Sequence, residues 1–255
     1  DQHPEIRRHA VRLSEPWLND NDALRTAVLA LLDDPEPRVR MQLAYSLGEL
    51  RDPAAGVALS QLAVADANDQ YMEAAITSSA VFNAGVILGE LLEQNELKGG
   101  LTRLISNLLR QAHDGGNEAV LVAGLDRVIA EHHAEVEAWQ FEVIADFLDG
   151  TDFQFSSFDE LRQASSPRMS AALGKLIDVF DSARELVGDE QQAEQLRTHA
   201  ARLLGHQQGM MRDDLIQLAT LLLPRYAAAL QNAAIETLGR CHHQDLPGVV
   251  LREWS

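Results

Sequence analysis

The run Pro4-Glu5-Ile6-Arg7-Arg8-His9-Ala10-Val11 is echoed 33 residues later by Pro37-Arg38-Val39-Arg40-Met41-Gln42-Leu43-Ala44. A weaker copy occupies residues 69–76. A fourth lies far downstream, where Pro224 precedes Leu230-Gln231-Asn232-Ala233-Ala234-Ile235-Glu236-Thr237-Leu238-Gly239. A fixed period between about 20 and 50 residues marks a chain built from small supersecondary units. One such unit cannot cover its own apolar face, so its neighbours must stack on it.

The residues within a unit say what that element is. Asp34-Pro35-Glu36-Pro37 breaks the chain and restarts it as a helix, because the N–H that proline lacks is one the first turn would leave unpaired anyway. Val39, Leu43, Ala44 and Leu47 then recur at helical spacing. Gly48 lets a neighbouring helix approach closely. Asp52-Pro53 opens the next helix, with Val57, Ala58, Leu59, Leu62 and Ala63 as its apolar face. Each unit is therefore a helical hairpin, and about 14 or 15 helices are expected in all. They continue near 83–94, 98–112, 118–131, 135–149, 167–187, 189–206, 211–223, 226–241 and 245–253. The expected fold is all-α, an α-solenoid of HEAT/armadillo-like hairpins running as a single body over residues 1–255.

Composition agrees with that architecture. The apolar fraction is 46% with only 5% aromatic, and Ala and Leu dominate, so the chain has a core but few of the β-branched runs a β-sandwich needs. Lys and Arg total 21 against 39 Asp and Glu, a formal charge of −18. Such a surface repels nucleic acid and anionic membrane and attracts a basic partner. The single cysteine, Cys241, excludes an internal disulfide and a CxxCH haem attachment within the chain. No apolar stretch approaches the roughly 20 residues of a membrane span. The chain starts at Asp1 rather than Met and carries no signal peptide, which reads as a piece of something longer.

The segment 150–168 departs from the repeat. It contains Phe153, Phe155 and Phe158 and ends in Ser165-Ser166-Pro167, and six of the seven phenylalanines lie between Phe141 and Phe180. It reads as an irregular joint, either plugged by its own aromatic rings or docking a neighbouring domain.

Clusters that carry chemistry are few. His132-His133 between Glu131 and Glu135 has metal-donor residue types, but adjacent histidines on a helix diverge and no HExxH is present. Cys241-His242-His243 reads as a helix end. His199 and His206, seven residues apart on one expected helix, are too far apart to share an ion. There is no GxGxxG, P-loop or GxSxG. Catalytic, cofactor-binding and metal-ligating residues are therefore assigned to none. Arg7 and Arg40 occupy one repeat position beside Ile6 and Val39, both expected to be buried. Asp34 and Asp66 precede repeat helices. An inter-repeat ladder of Arg7, Arg40, Asp34 and Asp66 is expected, with the aspartates also capping helix N-termini.

Pro-x-Val-Arg followed by Ala/Leu-rich helices, with Leu47-Gly48 and Leu238-Gly239, resembles HEAT-like repeats, in the short form named after phycobilisome lyases. Residues 3–15, 38–49 and 74–79, with Leu222-Leu223-Pro224-Arg225 and 230–234, are similar to one part of the planctomycete-type membrane-bound dehydrogenase or haem-binding CxxCH multidomain proteins. The similarity is weak over 95–200. In that family a β-propeller precedes the solenoid and a cytochrome c module follows it. The resemblance implies a periplasmic or secreted setting. It assigns neither haem nor redox chemistry to this chain, because the CxxCH motif and the propeller are both absent here.

The expected role is a non-catalytic scaffold that docks or links the redox domains of a larger protein. Its partners would be protein or neighbouring domains of the same polypeptide, and haem c would be held only in a separate domain. By analogy with HEAT folds, the Pro-x-Val-Arg helices line the concave face, and His9, Gln42, Tyr45, Glu73 and Thr77 are the candidate partner contacts. Two rivals stand beside this reading: a bilin or haem lyase-like solenoid enzyme, and a free-standing cytoplasmic adaptor.

Overall fold

Residues that supply a missing hydrogen bond open several of the helices. In the computed structural model, which describes residues 1–130, 137–151 and 157–253, Asn21, Asp52, Asp69, Ser157 and Ser166 each accept a backbone N–H from the first turn of the helix they precede. Pro4, Pro37, Pro53 and Pro167 stand at first-turn positions. Every regular element among the described residues is helical, and the fold is an α-solenoid of stacked hairpins.

The packing divides the chain into two compact units, residues 1–124 and 125–255. The division falls inside α8 rather than at the phenylalanine segment.

Unit 1 holds α1 (Pro4–Ser14), α2 (Asp22–Leu29), α3 (Pro37–Leu47), α4 (Pro53–Ala65), α5 (Gln70–Ser79), α6 (Ala84–Leu91), α7 (Gly100–Asp114) and the start of α8 (Glu118–Ala130). Helix α3 packs between α1 and α5, and α5 packs in turn on α7, giving one row. Helices α4 and α6 pack on each other in a second row. The 33-residue echo is visible in what is buried. Val39, Leu43 and Leu47 are sealed in the interior of α3, and Met72, Ile76 and Ala80 are sealed at the corresponding positions of α5 and the turn after it. Truncating Leu43 to Ala would cost about 2–5 kcal/mol. A Cβ on Gly48 would lie 2.9 Å from Ser79 Cα, so only glycine permits the two repeats to approach this closely. Ile6, the repeat equivalent of Val39, is 54% exposed rather than buried, because α1 has a neighbour in its row, α3, on one side alone.

Unit 2 continues with α9 (Ala138–Thr151), α10 (Phe158–Ala164), α11 (Pro167–Gly174), α12 (Leu176–Gly188), α13 (Glu194–Ala201), α14 (Met211–Thr220), α15 (Ala228–Arg240) and α16 (Leu246–Glu253). Helix α13 is its hub, packed on α9, α12 and α15. The stretch 150–168 is not all loop, since α10 lies within it. Ser157 starts this helix by accepting the Glu160 N–H, and Phe158 is driven into the core edge-on to Phe180 at 5.0 Å. Phe153 and Phe155 lie outside the described residues. The helix expected over 167–187 is two, parted at Lys175. The helix expected over 189–206 shrinks to 194–201, which leaves His206 beyond its end, just past the turn 202–205.

Candidate interaction surface

The row α1, α3, α5 and α7 in unit 1 gives the repeat a chemical face. The helix period that buries Val39, Leu43 and Leu47 turns Arg38, Met41 and Tyr45 outward. An offset of 33 residues places Glu5, Arg8 and Arg12 on α1 and Tyr71, Ala74 and Ser78 on α5 at the same positions. Between α1 and α3 lies an open groove of about 480 Å³ lined by Glu5, Arg8, Arg38, Met41, Gln42 and Tyr45. Between α5 and α7 lies one of about 680 Å³, where Glu73, Thr77 and Ser78 face Arg103, Asn107 and Arg110.

The five candidate contacts fall at different depths. His9 is exposed and Tyr45 is 46% exposed. Gln42 is half-buried, its amide 3.4 Å from Glu15 Oε1 and 3.3 Å from Ser46 Oγ. Glu73 stands at the repeat position of Arg40, and its carboxylate accepts from Arg103 and from Asn107 Nδ2, the latter at 2.9 Å. Thr77 Oγ1 donates to the Glu73 carbonyl at 2.8 Å. Glu73 and Thr77 therefore form the floor of the second groove. The outward positions on α5 are Tyr71, Ala74 and Ser78, which are absent from the candidates drawn from sequence. Adding 33 to Arg38, Met41 and Tyr45 would have found them.

Beneath this face, Arg7 Nε and Nη2 donate to Asp34 at 2.6 and 2.8 Å, and Arg40 Nε and Nη2 donate to Asp66 at 2.8 and 2.5 Å. The Arg7 guanidinium, its hydrogen bond foremost, holds the Asp34 carboxyl below the usual carboxylate range. The capping role expected of these aspartates does not hold. Asp34 accepts the Glu36 N–H one turn early, and the N-cap position of α3 is Glu36, whose side chain makes no cap bond. Asp66 closes the C-terminal end of α4, while Asp69 caps α5. The next rung runs in reverse, with the acid, Glu73, on the earlier helix and Arg103 on the later one. Two asparagines that no repeat motif marks also tie repeats together: Asn19 to Glu49 O and the Arg51 N–H, and Asn83 to Leu50 O.

Unit 2 gathers its charges differently. Arg202 and Arg240 both reach Asp149, and Arg202 also donates to Asp146 at 2.6 Å. The buried His206 ring has Nε2 3.7 Å from Asp149 Oδ1. Burial first, then Arg240 and Arg202, push its pKa well below the ordinary imidazole value. Burial lowers His199 as well. Arg184 forks onto Asp214, which also accepts the Gly205 N–H at 2.9 Å. Cys241 is buried. The pair His242-His243 follows the end of α15, and His243 Nδ1 accepts the Asp245 N–H at 3.2 Å. The His132-His133 cluster with Glu131 and Glu135 lies outside the described residues. Among the described residues, no three His, Cys, Asp or Glu side chains are placed to share a metal ion, and no helix is long and apolar enough to cross a membrane.

Residues 1–80 match the HEAT repeats family. No curated protein sequence matches the chain. Among solved structures, the crystal structure of an engineered protein aligns over 100% of this chain and 79% of its own length, at 12% identity and a TM-score of 0.34. A HEAT-like repeat region thus occupies the N-terminal part of unit 1, and HEAT repeats are protein-interaction modules.

Proposed function

We propose that the chain is a non-catalytic helical-repeat scaffold whose α1–α3–α5–α7 face docks a protein partner, with His9, Gln42, Tyr45, Glu73 and Thr77 among the contacts. The observation that carries this reading is the pair of open grooves between helices of this row, where Met41 and Tyr45 of one occupy the repeat positions of Ala74 and Ser78 in the other. Exposed Tyr45 and Tyr71 beside arginines give the face the composition of an interface core rather than of a solvated helix. In the finer form of the proposal the partners are redox domains of a dehydrogenase–cytochrome c type polypeptide in the periplasm. Haem c is then carried by the partner, and this chain holds no cofactor of its own.

The test is photo-crosslinking with p-benzoylphenylalanine in place of Tyr45 on the face, or in place of the exposed Gln61 on α4. The expected result is haem-staining adducts from position 45 and none from position 61. Adducts without haem would remove the redox partner, and equal yields from both positions would remove the docking face.

A further inference from the structure

The net charge of −18 points to a basic partner, but the docking face carries the opposite sign. Arg8, Arg38, Arg103 and Arg110 line the two grooves against only Glu5 and Glu73. Both glutamates are already engaged. Glu5 pairs with Arg8 at 2.9 Å, and Glu73 is held by Arg103 and Asn107 with its side chain only 14% exposed. The Arg38 side chain is 73% exposed, with Glu5 no closer than 3.9 Å. Arg110 donates to the neutral Asn107 amide oxygen. Arg12, at the α1 position equivalent to Tyr45, is exposed and makes no side-chain bond among the described residues. Guanidinium groups in fork geometry next to Met41 and Tyr45 suit carboxylates flanking an apolar side chain.

We propose that this face binds an acidic segment of a partner protein, a conclusion that rests on the docking-face reading above. The segment's carboxylates would pair with Arg12, Arg38 and Arg110, and an aromatic or aliphatic side chain would lie against Met41 and Tyr45. The two grooves are two interhelix spacings of about 10 Å apart. About six to eight residues of extended chain cover that distance. A short peptide feels the local arginines, because charges more than about 8–10 Å away are screened at physiological salt. A long nucleic acid strand would also meet the remaining acidic surface and be repelled by it.

Fluorescence anisotropy on the whole chain tests this, with a labelled 12-residue peptide of repeated Glu-Glu-Phe, its Lys-Lys-Phe counterpart and a 12-nucleotide oligothymidine as probes. The acidic peptide is expected to bind and the lysine peptide and oligothymidine to be at least tenfold weaker. The R12E/R38E double variant is expected to lose at least tenfold in affinity. R168E/R212E changes the net charge equally at exposed arginines of unit 2 and is expected to stay within twofold. An equal loss in both variants, or oligothymidine binding as tightly as the acidic peptide, would overturn the inference. So would self-association of the chain that R12E/R38E dissolves, since a second copy would then be the occupant. Preferential binding of the lysine peptide, abolished by Tyr45→Ala, would leave the docking face standing and sink the acidic partner alone.

Discussion

Units 1 and 2 use the same pair chemistry, arginine forked onto aspartate, to different ends. In unit 1 each rung spans one repeat, Arg7 to Asp34 and Arg40 to Asp66, separations of 27 and 26 residues, and the rungs succeed one another along the row. In unit 2 the charges converge. Asp149 takes Arg202 from 53 residues away and Arg240 from 91, and Asp214 ties Arg184 to the Gly205 turn. A ladder distributes its bonds, so losing one rung leaves the others intact. In a cluster several donors share one acceptor, and removing that acceptor takes a bond from each of them. Unit 1 therefore spreads its charge pairs along the row, whereas unit 2 concentrates them on two acceptors, Asp149 and Asp214.

Asp214→Ala is expected to have the largest effect. The Asp214 side chain is 1% exposed, and its removal takes the acceptor from Arg184 Nε and from the Gly205 N–H, while Arg184, 13% exposed, keeps Asp181 and Gln207. Breaking a buried pair on one side costs about 3–5 kcal/mol. Hydrogen exchange read by mass spectrometry should show unit 2 opening while unit 1 stays protected; equal loss in both units would contradict the contrast between them.

Next comes Gly205→Ala. Gly205 has φ of +81°, and a Cβ there would collide with Cys241 Sγ. Left-handed strain and overpacking together cost about 2–4 kcal/mol. Adding Cys241→Ala should return the overpacking part and leave the strain, a partial rescue visible in the melting temperature. No rescue would mean that the sulfur is not the obstacle.

Unit 1 is legible in the sequence because its rungs recur at nearly one offset, Arg7 and Arg40 standing 33 residues apart and Asp34 and Asp66 standing 32 apart. Pro4 and Pro37 announce the helices, Val39, Leu43 and Leu47 the buried face, and Arg7 and Arg40 a shared position. The cluster in unit 2 is not legible, because its 53-residue and 91-residue separations belong to no motif that recurs in the chain. His199 and His206 look like one helix face only because nothing local marks the end of α13 at Ala201. The surface is half legible. Periodicity puts Tyr45 and Gln42 on it, but Glu73, expected to point outward, shares its repeat position with the inward Arg40. The arginines Arg38, Arg103 and Arg110 are hidden by an overall charge of −18, an average that says nothing of where the charges lie.

Acid should separate the two units. His206 and His199 are held neutral in the fold, their pKa values lowered chiefly by burial. In the unfolded chain each takes up a proton below about pH 6.5. Unfolding then binds protons, so stability is fully present above that pH and is lost as the pH falls through it. In unit 1 the responsive groups include Asp34, lowered by its hydrogen bond from Arg7, and Asp52, lowered first by the Ala54 N–H, and their contribution persists until the pH falls below the ordinary carboxylate value of about 4. Melts between about pH 7.5 and 5 are expected to weaken unit 2 first, and His206→Gln to flatten that slope. A slope that His206→Gln leaves unchanged would remove the buried imidazole as its cause.

Arg40→Ala sets the scale at the small end. Arg40 forks onto Asp66 as Arg184 forks onto Asp214, but Asp66 is 16% exposed against 1% for Asp214. Water can reach the orphaned Asp66 carboxylate, so the loss is the net value of a charge-assisted pair, about 1–2 kcal/mol, rather than the desolvation cost of a stranded ion. The Asp34 carbonyl also loses the Arg40 Nη1 donor, which keeps the effect above zero. A drop in unit 1 several-fold smaller than that of Asp214→Ala in unit 2 would mean that solvent access, and not the geometry of the pair, decides what each rung is worth. Equal drops would mean that the ladder is as tightly coupled as the cluster, and the division of labour between the two units would fail with it.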